Sequence, residues 1–111
     1  MPKTIDSEHM EQVTFVNWFR ENVNGFVFAI PNGELRNITV AKRLKAEGVV
    51  SGVPDLCCIL PNRSIFWIEM KKKKNGRVSK EQKEIHSIFN DHGQKVHVCN
   101  GWEEAAALFL D

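Results

Sequence analysis

Apolar positions along the chain change spacing from helical to strand-like and back, and the changes divide it into short elements. Residues 7 to 23 carry Phe15, Trp18, Phe19 and Asn22 at helical intervals, which predicts a helix with those residues facing inward. Asp6 or Ser7 can serve as its N-cap, and Asn24-Gly25 as its stop. Gly25 to Ile30 reads as a short strand closed by Pro31-Asn32-Gly33, residue types that favour a turn. A second helix is expected from Asn37 or Thr39 through Glu47, with Ala41, Leu44 and Lys45 at helical spacing and Gly48 at its end.

Two dense apolar runs follow, residues 51–60 and 64–71, separated by Pro61-Asn62-Arg63. Turn residues between two such runs predict a hairpin of buried strands. Ser79 with Gln82 three residues on forms a capping box that opens a third helix, ended by His92-Gly93. Lys95 to Cys99 alternates like a strand, and Gly101 to Leu110 sets Trp102, Ala105, Ala106 and Phe109 as the packing stripe of a last helix. The predicted order is αβαββαβα, an α/β fold in which helices flank a mixed sheet.

Charges inside the hairpin change this picture. Side chains alternate along a strand, so Glu69 and Lys71 point to one face with Trp67, while Ile68 and Met70 point to the other. Asp55 begins the neighbouring strand, where pairing can bring its carboxylate close to that of Glu69. Two carboxylates about 5 Å apart repel by roughly 3 kcal/mol at an effective dielectric of about 20. Such a pair calls for a cation or a shared proton. Lys71 supplies one charge; a hard divalent ion taking oxygen ligands supplies the rest. Taken singly, Asp55 is also an ordinary turn residue after Pro54, and Glu69 with Lys71 a hydrated strand-end pair. Their place in the most apolar part of the chain favours the joint reading, because unpaired charge there is costly.

At 111 residues the chain is expected to form a single domain, 1–111, with one core. No repeat, linker or low-complexity segment interrupts it, and no apolar run approaches the roughly 20 residues that span a membrane. The polar start has no apolar signal region, so an intracellular, cytoplasmic protein is expected. A net charge of +1 does not itself point to nucleic acid. The basic residues cluster instead, with Arg36, Lys42, Arg43 and Lys45 in one group and Lys71 to Lys74 with Arg77 in another. Either group can equally be a solvated face. Cys57, Cys58 and Cys99 have no zinc-ligand spacing and read as small buried apolar residues of a reducing compartment. The four histidines form no metal motif and read as ordinary surface or core residues.

At Pro54-Asp55 and Glu69-Met70-Lys71 the chain resembles the PD-(D/E)XK nuclease superfamily, whose fold is a restriction-endonuclease-like core. More narrowly it resembles the virus-type replication-repair nuclease family, the VRR-NUC domain, in its short standalone form. The likeness runs through Glu8 to Gln12, Ile30-Pro31-Asn32-Gly33 with Arg36, Lys45 to Gly48, Gly52 to Leu56, Ile68 to Lys71 and Val78 to Lys83.

The resemblance implies a metal-dependent endodeoxyribonuclease that hydrolyses phosphodiesters to 5′-phosphate and 3′-hydroxyl ends. One or two Mg²⁺ or Mn²⁺ ions are expected on Asp55, Glu69, an acid of the first helix and the backbone carbonyl of Met70, with no small-molecule cofactor. Glu8 lies at the end of the inward stripe and Glu11 on a neighbouring line, so both stand as that acid; an acid in a first helical turn also needs no function. Catalytic roles fall to Asp55, Glu69, Lys71 and Gln82, although the capping box alone also accounts for Gln82. Asn32, Arg36, Lys72, Lys73, Lys74 and Arg77 are expected to shape the site's rim or contact phosphates. Branched repair intermediates such as Holliday junctions or flaps are the implied DNA, and a homodimer the implied assembly. A non-catalytic nucleic-acid-binding module is the competing reading.

Overall fold

The computed structural model describes residues 7–31 and 38–110. Asn32 and Arg36 lie outside them, as do the candidate caps Asp6 and Asn37. The element order is α1 (Ser7–Asn22), β1 (Phe26–Ala29), α2 (Ile38–Ala46), β2 (Leu56–Ile59), β3 (Ile65–Lys71), α3 (Lys80–Asp91), β4 (Val96–Asn100) and α4 (Trp102–Ala107). This is the order read from the sequence.

The strands lie side by side in chain order in one four-stranded sheet. β1 with β2 and β2 with β3 are antiparallel, whereas β3 and β4 are parallel. Parallel neighbours need a crossover connection, and α3 is that connection. Alternation then sorts the side chains. Val27, Leu56, Cys58, Ile68, Met70 and Cys99 form the core with Phe15 and Phe19 of α1 and Ala105 of α4. The opposite face meets α3, where Phe89 sets its ring edge-on to Trp67 at 5.2 Å. All three cysteines are free and buried.

The aromatic rings of α1 anchor the core side. Phe19 meets Phe109 edge-on at 5.2 Å, and Phe109 also meets Phe66 at 4.7 Å. Full burial of Phe15 and Phe19 contributes about 2–3 kcal/mol each by area. Asn22, expected on the same stripe, is exposed, and its side-chain amide donates to the Trp18 carbonyl at 2.8 Å. The short polar side chain satisfies itself on the backbone one turn back at the helix end and does not enter the core.

β4 extends one residue further than expected because Asn100 still pairs with Lys71. α4 ends earlier, as Leu108, Phe109 and Leu110 each donate to the carbonyl three residues back, at Ala105, Ala106 and Ala107. α2 buries none of its residues.

Candidate active site

Hairpin register places the two acids. Leu56 pairs with Ile68, so Asp55 stands one step further along, opposite Glu69. Asp55 Oδ2 accepts a hydrogen bond from the Met70 amide at 2.8 Å, and its own carbonyl accepts from Ile30 at 2.9 Å. Asp55 is thus tied to both neighbouring strands. An extended residue points its N–H and C=O to the same strand edge, so the Met70 carbonyl also faces Asp55, while the Lys71 carbonyl faces the other way and accepts from Gly101. The loop carrying Asp55 passes close to α3 at Gly52. With φ at +94°, a Cβ there would lie 3.1 Å from Ile85 and 3.2 Å from Glu81, so glycine permits both the backbone conformation and the approach.

Glu69 is wholly buried and Lys71 is 6% exposed. Burial of an acid disfavours its charged form, and Asp55 adds its charge and a hydrogen bond. Together these push the Glu69 carboxyl up to about 9 against the opposing pull of Lys71. Lys71 Nζ lies 3.9 Å from Glu69 Oε2 and donates to Gln82 Oε1 at 2.9 Å.

Gln82 serves both roles between which the sequence left it open. Its Oε1 accepts from the Ser79 amide at 2.9 Å, and its backbone amide donates to Ser79 Oγ at 3.1 Å, completing the capping box. The same Oε1 takes Lys71, and Nε2 donates to Glu69 Oε2 at 3.0 Å.

The two acids of α1 separate. Glu11 Oε1 accepts from the Trp102 amide at 2.8 Å and so caps α4, whose N-cap Gly101 has no side chain to do so. Glu8 instead lies in the field of the site. Partial burial, then Asp55, raise its carboxyl, while Lys71 and Lys72 pull it down. Among the described residues no three His, Cys, Asp or Glu side chains are close enough together to hold an ion by themselves.

His86 was not singled out in the sequence. It lies one turn beyond Gln82 on α3, and its Nε2 is 3.4 Å from Glu69 Oε1. Burial and Lys71 hold its ring below the usual imidazole range. The available signal was its i, i+4 relation to Gln82, which puts both on one helical face. On the rim, Lys72, Lys74 and Arg77 are exposed, but Lys73 pairs with Glu103 at 3.1 Å.

The donors at the centre are hard oxygens: two carboxylates and a carbonyl. Carboxylate oxygens retain acceptor capacity beyond the bonds already made, and the upward shift of the Glu69 carboxyl, from burial and then Asp55, is only partly opposed by Lys71. That donor set fits Mg²⁺ or Mn²⁺ better than a thiophilic metal.

Comparison with known proteins bears on this geometry. The profile of the VRR-NUC domain matches residues 2–103. The chain belongs to the VRR-NUC family. A solved structure titled "VRR_NUC domain" shares 27% identity, covers 92% of each chain and superposes with a TM-score of 0.68. Another, titled "VRR_NUC domain protein", shares the fold at a TM-score of 0.72 and 23% identity, covering 96% of this chain and 87% of that one. No curated protein matches. As a VRR-NUC chain the molecule has a nuclease-type fold and function, with DNA the substrate class that the family indicates. Among the described residues no helix is long and apolar enough to cross a membrane.

Proposed function

We propose that this VRR-NUC chain is a metal-dependent endodeoxyribonuclease acting on branched repair intermediates such as Holliday junctions or flaps. The observation that carries the proposal is the half-buried Asp55 set opposite the wholly buried Glu69, beside Lys71. A buried acid beside a second acid is unfavourable for stability alone, and the arrangement gains purpose when a divalent ion and a phosphate join it.

Asp55, Glu69, the Met70 carbonyl and Glu8 of α1 would hold one or two Mg²⁺ or Mn²⁺ ions. The ion would lower the pKa of a bound water and offset charge on the phosphate oxygens. Asp55 is oriented for this by the Met70 amide. Lys71, its ammonium held on Gln82, stabilises the attacking hydroxide and the negative charge that builds on phosphorus-bound oxygen. Gln82 aligns Lys71 and Glu69 relative to one another. Lys72, Lys74 and Arg77 contact phosphates along the strand, with Lys73 available when it leaves Glu103, and Asn32 and Arg36 are assigned to the same role from their motif alone. A homodimer would present two such centres to a junction, inside a reducing cell compartment that suits the free cysteines.

The test is cleavage of labelled duplex, flap and four-way-junction DNA with Mg²⁺, Mn²⁺, Ca²⁺ or EDTA. Metal-dependent cutting with preference for a branched substrate is expected. DNA binding without metal-dependent cutting would instead support a non-catalytic binding module.

A further inference from the structure

We propose that His86 is a positioning residue for the metal site, holding Glu69 Oε1 so that the carboxylate presents its remaining lone pairs to the ion. The proposal rests on the metal-site reading above and adds to it a residue that the site's motif residues do not include.

A glutamate's terminal torsion is broad and roughly two-fold, so burial of its stem does not orient the carboxylate plane. Two hydrogen-bonding partners on different oxygens do. Gln82 donates to Oε2 at 3.0 Å and His86 stands 3.4 Å from Oε1. Both come from consecutive turns of α3. That helix is held in position by its capping box, by the edge-on contact of Phe89 with Trp67, and by the close passage of Gly52 against Ile85 and Glu81. The His86 side chain is 16% exposed, so the ring is largely screened from water and its nitrogen is directed at the acid. Partners that orient a metal-binding carboxylate in this way are typically worth about 10–100-fold in metal affinity.

The test is Mn²⁺ titration of the DNA-free protein by calorimetry and by thermal shift, for the wild type, His86→Ala and His86→Gln, with melting in EDTA alongside. The glutamine amide nitrogen can stand where Nε2 does. Expected is a Mn²⁺ affinity about 10–100-fold weaker in His86→Ala, largely restored in His86→Gln, with similar melting temperatures of both variants in EDTA. Mn²⁺ binding by His86→Ala close to that of wild type overturns the role of His86 while leaving the metal site standing. Equal weakness of both variants, following a lowered melting temperature in EDTA, overturns it in favour of simple packing. If His86→Ala does not fold, His86→Gln against wild type decides alone: near-wild-type affinity supports the role, and a marked loss overturns it. A wild type that binds no Mn²⁺ removes both this inference and the reading beneath it.

Discussion

Replacing Glu69 by glutamine tests the electrostatics of the site without altering its shape. In the unfolded chain a glutamate titrates near its ordinary value of 4.5, whereas burial and Asp55 push Glu69 up to about 9 in the folded protein. Between those values the folded state binds a proton that the unfolded state lacks, so stability falls as pH rises through this window. At pH 7 the displacement corresponds to about 3 kcal/mol, and it grows by about 1.4 kcal/mol per pH unit until about 9. The substituted glutamine does not titrate. Its oxygen can accept from Gln82, and its amide can donate to Asp55 or to the other His86 tautomer, so no buried group is orphaned. In EDTA, Glu69→Gln should therefore melt higher than wild type by roughly 10 °C or more at pH 7, with the gap widening toward pH 9 and closing toward pH 5. Circular dichroism melts across that range measure it directly. A variant that melts at or below wild type throughout, or a gap independent of pH, would refute the reasoning. The same variant should lose both Mn²⁺-induced stabilisation and cleavage.

Further outcomes follow from the same geometry. Mn²⁺ binding at pH 7 should release about one proton, because the ion displaces the one held on Glu69; calorimetric heats that do not depend on the buffer's ionisation heat would contradict this. Lys71→Ala should lower cleavage at least about 100-fold while changing DNA affinity in EDTA little, and a parallel loss in fluorescence anisotropy would reassign Lys71 to binding. Ser79→Ala should cost about 1 kcal/mol of stability through the lost cap yet retain most cleavage, whereas Gln82→Ala should lose both, as melts and gel assays would distinguish. Joint replacement of Lys72, Lys74 and Arg77 by alanine should reduce the slope of log affinity against log salt by about two to three, and an unchanged slope would place the DNA elsewhere.

Which parts of the site were legible in the sequence depended on how far a side chain's partner lies along the chain. Asp55 opposite Glu69 follows from strand alternation and a short turn, both local properties, and the capping box at Ser79 and Gln82 is local as well. Glu8 and Glu11 sit three residues apart on one helix, and nothing in their surroundings in sequence separates them. The distinction is made by the Trp102 amide, 91 residues downstream, which occupies Glu11. Asn22 kept the helical spacing but not the burial, since periodicity gives a face and does not say where the opposing layer ends. Lys73 looked like its neighbours until α4 folded back to bring Glu103 beside it. His86 had a local clue in its spacing from Gln82, yet that clue acquires meaning only once Gln82 is known to reach Glu69 across the crossover. The capping box supplies that link: a structural motif at the start of α3 fixes the turn on which Gln82 and His86 stand, so the residue that explains the helix's start also determines how the buried acid is held.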